Sequence, residues 1–321
     1  MPPAVFVVGV GRSGTTLIYR IVQRLFRRRF GRDYTSSYEP LIWNRELFDR
    51  DYEDCAHLFG KTSSLSVEGM YVHQQLPMFI DAPKDLSDYT ALPLLRHFSR
   101  EQGPTLPHVA KFIRMNGRLP LLRLLHPEAK IIVLLRNPVD SVNSVKGKFD
   151  YYGEDFYPSD FPRFCAERAG KLLLDPAQAS WAERSAEYVL QMAMAAMAFA
   201  IDDRNTLVVD YDQTAQAPGR LVRSLCRFLE FEIEEKTLSV AQKRAGPVTP
   251  SVTLSQEEYE DASRYLEPYV RATAPYGPNL EALDATLVAK YEGRLTAPPL
   301  DTSLAGLTTN RLRALLRRAG G

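Results

Sequence analysis

Short apolar runs alternate with longer amphipathic stretches through most of the chain. The short runs are rich in β-branched residues and are bounded by glycine, proline or polar residues, a pattern typical of buried strands. Four such runs predict strands: Ala4–Val8, Val109–Ile113, Lys130–Leu135 and Thr206–Asp210.

The stretches between these runs carry apolar residues at helical spacing. They predict helices at Thr15–Arg29, Leu119–Leu125, Ser180–Ile201 and Arg220–Glu230, with a further helix opening at Pro138. Strands that alternate with helices form parallel sheets covered on both faces. The pattern therefore predicts an α/β fold with a central parallel sheet flanked by helices.

No glycine-rich or proline-rich linker divides the 321 residues, so we expect a single domain over residues 1–321. The ranges 35–105 and 147–180 are irregular and aromatic, and we expect them to be loop-rich insertions that bind an acceptor. The net charge of +1 gives no indication of a nucleic-acid partner.

The three cysteines, Cys55, Cys165 and Cys226, lie far apart and give neither a disulfide framework nor a zinc spacing. No basic and apolar leader precedes the first strand. The longest apolar stretch, Val189–Ile201, is too short to span a bilayer. These features predict a cytoplasmic protein without a transmembrane segment, and the arginines near the C-terminus leave peripheral membrane association open.

Between the first strand and the first helix lies the glycine-rich segment Gly9-Val10-Gly11-Arg12-Ser13-Gly14-Thr15-Thr16. Backbone N–H groups and the helix dipole at such a junction bind anions, and glycine lets the ligand approach the backbone closely. The segment therefore predicts a phosphate site, and the question is which molecule carries the phosphate.

Two general motifs compete for this loop. A P-loop kinase or nucleotide triphosphatase needs a lysine where Thr15 stands, so ATP or GTP hydrolysis is the weaker alternative. Gly9, Gly11 and Gly14 also form the dinucleotide motif G-x-G-x-x-G, but no acidic residue closes a second strand about 20 residues later. A non-catalytic protein that keeps a nucleotide pocket remains a third possibility.

The order Gly11-Arg12-Ser13-Gly14-Thr15-Thr16 resembles the 5′-phosphosulfate loop of sulfotransferases that use 3′-phosphoadenosine 5′-phosphosulfate (PAPS). A second motif is similar too: Arg136 ends the strongest strand and Ser144 follows eight residues later, as in the 3′-phosphate motif of that family. Arginine suits this role because its guanidinium forms bidentate, charge-assisted hydrogen bonds with phosphate. The resemblance covers about residues 4–250 and is nearest to the carbohydrate and tyrosine branches.

The resemblance implies a P-loop sulfotransferase architecture, PAPS as co-substrate, no metal, and in-line transfer of a sulfuryl group to an acceptor hydroxyl. The cofactor-binding residues that it implies are Arg12, Ser13, Gly14, Thr15, Thr16, Arg136, Ser144, Lys243 and Arg244. The catalytic residues that it implies are Arg12, Lys111 and Glu39.

Glu39 is the candidate general base, since an attacking hydroxyl must lose a proton. Lys111 is followed by Phe-Ile-Arg, so the histidine that many small-molecule sulfotransferases carry shortly after a strand lysine is absent, and His108 precedes the lysine. Glu39-Pro40-Leu41 resembles a segment of carbohydrate sulfotransferases, which favours a glycan, a glycolipid or a small hydroxyl compound as acceptor. His57 and His73 are the remaining candidates for the base.

Overall fold

The computed structural model describes residues 4–38, 77–80, 106–147, 161–212, 217–232, 252–277 and 279–295. Its centre is a sheet of five strands in the order β2-β3-β1-β4-β5, and every neighbouring pair is parallel. The strands are β1 (Ala4–Gly9), β2 (Thr35–Tyr38), β3 (His108–Phe112), β4 (Lys130–Leu135) and β5 (Thr206–Asp210). The prediction of a parallel α/β sheet is confirmed.

Helices follow the strands in the chain and cover the sheet. They are α1 (Thr15–Phe30), a 3-10 turn (Asn116–Arg118) that leads into α2 (Leu119–Leu125), α3 (Pro138–Lys146), α4 (Phe161–Glu167), α5 (Trp181–Ala200), α6 (Pro218–Leu229), α7 (Gln256–Ser263), α8 (Leu266–Thr273) and α9 (Leu280–Tyr291). None of the helices in this part of the chain is long and apolar enough to cross a membrane.

The central strands are buried on both faces, and alternate residues enter different layers because successive side chains of a strand point to opposite faces. On β1, Val5 and Val7 pack with the apolar sides of α1 and α6. Phe6 and Val8 pack on the other face, with residues of α2, α3, α5 and α7–α9. Helices thus occupy both faces, and the carboxyl edge of the sheet is the place where a ligand can meet several strands.

Two elements lie in ranges expected to be irregular, and the expectation is wrong at both. β2 falls within 35–105 and α4 within 147–180. The sequence of β2, Thr-Ser-Ser-Tyr, has no apolar run because it is an edge strand that pairs with β3 alone. β2 is therefore formed by its backbone hydrogen bonds to β3, and the hydrophobic pattern of the sequence does not reveal it.

Two half-buried histidines make the stability of the fold depend on pH. Burial lowers the pKa of both His108 and His126 to about 4. The unfolded chain therefore binds more protons below pH 6.5, and stability present at neutral pH is lost as pH falls towards 4. We expect the free energy of unfolding to fall by about 1–2 kcal/mol per histidine between pH 7 and pH 5.

Urea denaturation at the two pH values measures this loss. The double variant with His108→Gln and His126→Gln should lose less stability over the same interval than the wild type. An identical pH dependence in the two proteins would contradict the assignment.

Candidate active site

The glycine-rich loop at the carboxyl end of β1 makes a tight turn that only particular backbone angles allow. Arg12 and Gly14 both adopt left-handed conformations, with φ of 67° and 91°. The Ser13 N–H donates to the carbonyl oxygen of Val10 at 3.0 Å, and α1 begins at once after Gly14. No side chain caps α1 and no acidic residue lies in its first turn. The positive end of the helix dipole therefore faces the loop, and α1 itself brings no negative charge to its first turn.

Arg136 joins this loop to the carboxyl end of β4, the strand next to β1. Its Nη1 donates to the carbonyl oxygen of Arg12 at 2.6 Å. Arg12 in turn donates from Nε to Ser144 Oγ at 3.2 Å. The two motifs singled out in the sequence are therefore parts of one site, although more than 120 residues separate them.

Two buried polar atoms at this junction, Ser13 Oγ and Arg136 Nε, have no hydrogen-bond partner among the described residues. Buried polar groups in folded proteins are nearly always satisfied, so such a pair beside the glycine-rich loop indicates a place for a polar ligand.

Lys111 contributes a buried positive charge beneath the loop. It lies near the end of β3, on the other side of β1, and is only 2% exposed. Its Nζ donates to Thr16 Oγ1 at 3.3 Å. Lys111 is therefore a buried lysine and not a solvated surface one. The carboxyl edge of three adjacent strands thus brings Arg12, Lys111 and Arg136 to one loop.

The family assignment now follows from both the geometry and the sequence. A family model described as the sulfotransferase family matches residues 3–235. This chain belongs to the sulfotransferase family. The resemblance noted in the sequence is confirmed.

Several solved structures are similar to this sulfotransferase at low identity. A sulfotransferase from Alicyclobacillus acidocaldarius shares 18% identity with a TM-score of 0.47, covering 88% of this chain and 99% of the other. A retinol dehydratase in complex with androsterone and the inactive cofactor PAP shares 14% identity with a TM-score of 0.44, covering 84% and 82%. A Mycobacterium tuberculosis sulfotransferase shares 14% identity with a TM-score of 0.45, covering 84% and 77%. No curated protein matches the chain significantly.

Tyr211, which follows β5, packs against the glycine-rich loop of this sulfotransferase. A Cβ placed on Gly14 would lie 2.3 Å from two atoms of the Tyr211 ring, so glycine is required there for packing as well as for its positive φ. On the same ring lies the guanidinium of Arg136, with its Cζ 4.9 Å from the centroid. The sequence does not indicate these contacts, because Tyr211 follows β5, which lies two strands away from β1 in the sheet.

Two carboxylates, the buried Asp140 and the half-buried Asp212, lie behind Arg136. Asn137 Nδ2 donates to Asp140 Oδ2 at 3.1 Å and to Asp212 Oδ2 at 2.9 Å. Burial opposes ionisation of Asp140, but Arg136 and Lys290 hold its pKa below the usual value. Burial and the neighbouring Asp140 charge raise the pKa of Asp212. These residues were not indicated by the sequence, because their contacts connect parts of the chain that lie far apart.

The remaining predicted residues divide into two groups. Ser13, Gly14, Thr15 and Thr16 lie in the loop and at the start of α1, as the motif implied. The other candidates lie outside the described residues: the base Glu39, its alternatives His57 and His73, and the pair Lys243 and Arg244. His108 is not at this site: it begins β3, at the opposite edge of the sheet, and its Nδ1 shares a 2.8 Å hydrogen bond with Thr35 Oγ1.

Replacing Gly14 with alanine should destabilise the fold more than the same replacement at another glycine with a positive φ. Gly14→Ala combines backbone strain with a clash against Tyr211, and we expect it to cost about 2–4 kcal/mol of unfolding free energy. Gly170 is a matched control, since its φ is 77° but nothing lies within 4 Å of an added Cβ. Gly170→Ala should cost only the strain, about 1–2 kcal/mol.

Urea denaturation of both variants tests this difference. In a Tyr211→Ala background, the cost of Gly14→Ala should fall towards that of the control, because the clash is gone. Equal costs for the two glycine changes in the wild-type background would show that the packing against Tyr211 is wrong.

Proposed function

We propose that this sulfotransferase transfers the sulfuryl group of PAPS to an acceptor hydroxyl. The observation that carries the proposal is the hydrogen bond from Arg136 to the Arg12 carbonyl, with unsatisfied buried donors on both sides of it. In this proposal the glycine-rich loop binds the 5′-phosphosulfate, and Arg136 with Ser144 binds the 3′-phosphate.

The charges and donors of the site suit such a ligand. PAPS carries three anionic groups, and the loop is surrounded by Arg12, Lys111 and Arg136. Ser13 Oγ and Arg136 Nε are donors with no partner in the described part of the chain, and the ligand would supply them. Ser144 Oγ accepts from Arg12 in the free protein, so its own hydroxyl proton is available to a phosphate oxygen.

The reaction needs positioning and charge stabilisation more than covalent catalysis. The acceptor oxygen forms a bond to sulfur while the bond from sulfur to the 5′-phosphate oxygen breaks, and PAP (3′-phosphoadenosine 5′-phosphate) leaves with both electrons of that bond. Arg12 and the N–H groups at the start of α1 stabilise the negative charge that develops on the leaving oxygen. Lys111 holds Thr16 at the start of α1 and adds positive potential there.

The acceptor hydroxyl loses its proton to Glu39 in this proposal. The support is the similarity of Glu39-Pro40-Leu41 to carbohydrate sulfotransferases, which also favours a glycan or glycolipid acceptor over other hydroxyl compounds. We place the reaction in the cytoplasm, because Cys165 and Cys226 are free thiols and the cysteine spacing gives no disulfide framework.

Calorimetric titration with PAP tests the nucleotide assignment. We expect tight binding in the presence of EDTA, with ATP and NADP⁺ much weaker under the same conditions. Arg136→Ala should weaken PAP binding about 10- to 100-fold, because a charge-assisted contact to phosphate is lost. Arg223→Ala removes an exposed arginine of α6 and should leave PAP affinity unchanged. Metal-dependent ATP binding without PAP binding would overturn the proposal.

Turnover of Glu39→Gln tests the base. We expect kcat to fall about 100-fold or more while PAP affinity stays at the wild-type value, since a general base typically contributes 10²–10⁴-fold. The assay is transfer of radiolabelled sulfuryl from PAPS to an acceptor found by screening glycans and small hydroxyl compounds. Near-normal turnover would exclude Glu39 and leave His57 and His73 to be tested.

A further inference from the structure

Helix α9 lies beyond the stretch that the family model matches, residues 3–235, yet its last two residues reach the active site. Lys290 Nζ donates to Asp140 Oδ2 at 2.6 Å, and Tyr291 OH donates to Asp140 Oδ1 at 2.9 Å. Each carboxylate oxygen of Asp140 therefore has a donor from α9. The contact joins residues about 150 positions apart in the chain.

Asp140 needs these donors because it is buried, with 2% of its surface exposed. A buried charge is stable only when it is paired and hydrogen-bonded. Besides Lys290 and Tyr291, it accepts from Asn137 Nδ2 at 3.1 Å. Its ionised form is thus held by one cation and two neutral donors.

Asn137 connects Asp140 to the proposed 3′-phosphate site. Its Oδ1 accepts from the Asp140 N–H at 2.8 Å and so caps α3. Its Nδ2 and backbone N–H both donate to Asp212 Oδ2, at 2.9 and 3.2 Å. The residue immediately before Asn137 is Arg136, whose charge favours the ionised form of both carboxyl groups, although burial and the Asp140 charge raise the pKa of Asp212 overall. Arg136 therefore interacts with both carboxylates as well as with the phosphate that it is proposed to bind.

We propose that Lys290 and Tyr291 are positioning residues of the sulfotransferase site. They neutralise and hold Asp140, so the guanidinium of Arg136 stays directed towards the 3′-phosphate instead of turning to the carboxylates. The inference rests on the proposed function, because it assumes that Arg136 binds that phosphate. It adds helix α9 to the elements that position the proposed 3′-phosphate site.

Because ionisable groups surround Asp140, the effect of Lys290 and Tyr291 on PAP binding should depend on pH. The groups that face Asp140 come from four elements: Arg136 after β4, Asp212 after β5, Tyr259 of α7, and Lys290 with Tyr291 of α9. Tyr269 of α8 and Asp210 at the end of β5 lie next to Asp212. Burial raises the pKa of all three tyrosines above the usual value, so they stay neutral between pH 6 and 8. Of the two carboxyl groups, Asp212 takes up a proton first as pH falls, because its pKa is raised while that of Asp140 is lowered.

Removing the Lys290 charge should therefore weaken PAP binding more at high pH than at low pH. At high pH both carboxylates are ionised and attract the Arg136 guanidinium. As pH falls, Asp212 takes up a proton and no longer attracts the guanidinium. We expect Lys290→Met to raise the PAP dissociation constant about tenfold at pH 8 and about two- to threefold at pH 6, relative to wild type at the same pH.

Calorimetry with PAP at the two pH values is the experiment, joined by steady-state kinetics with PAPS. The KM for PAPS should rise in Lys290→Met, while kcat at saturating PAPS stays near the wild-type value. Lys290→Arg keeps the charge and should restore most of the affinity. Arg271→Met is the matched control: it also removes one positive charge, but from an exposed ion pair on α8, and should change nothing.

Tyr291→Phe keeps the ring and the Lys290 bond, and should weaken PAP binding about two- to fivefold at pH 8 through the loss of one hydrogen bond. It carries the same test if Lys290→Met does not fold. Wild-type affinity in both variants would overturn the inference while leaving the proposed function intact. So would a loss of equal size at pH 6 and pH 8 that arginine does not rescue. A wild-type protein that fails to bind PAP would overturn the proposed function, and this inference with it.

Discussion

The structure of the site depends on one hydrogen bond, from Arg136 Nη1 to the carbonyl oxygen of Arg12. It connects the carboxyl ends of β1 and β4, which lie side by side in the parallel sheet. Because strands of a parallel sheet present the same end at one edge, two motifs that are remote in sequence become neighbours. The backbone of Arg12 accepts this bond in a left-handed conformation, with Gly14 also left-handed two residues later. The loop geometry and the strand order therefore determine each other.

The same edge concentrates positive charge, and the fold must compensate for it in the absence of ligand. Arg12 belongs to the loop, and Lys111 and Arg136 each donate a hydrogen bond to one of its residues, while the buried Asp140 and the half-buried Asp212 lie behind Arg136. Ser13 Oγ and Arg136 Nε have no partner within the described ranges, so a bound anion that supplies partners should stabilise the protein. Helix α9 enters this balance through Lys290, which neutralises one of the two carboxylates. Fold stability and anion affinity are thus linked through a single buried network.

The features that the sequence could predict are local ones. The strands β4 and β5 were predicted to the residue, because continuous runs of β-branched residues are typical of strands buried on both faces. The glycine-rich loop was predicted from its spacing alone. β2 was not predicted, since a short polar edge strand has no periodicity to detect. Tyr211, Asp212 and Lys290 were not predicted because their roles come from tertiary contacts that no local pattern encodes. The assignment of Glu39 as the base remains a prediction.

A comparison of PAP with AMP tests the central claim most directly, because the two ligands differ only in the 3′-phosphate. The account predicts that the wild type binds PAP at least about 30-fold more tightly than AMP, through the charged contacts of Arg136 and the hydroxyl of Ser144. In Arg136→Ala this preference should largely disappear, because PAP affinity should fall much more than AMP affinity does. Equal binding of PAP and AMP by the wild type would contradict the account, since Arg136 and Ser144 would then bind no 3′-phosphate.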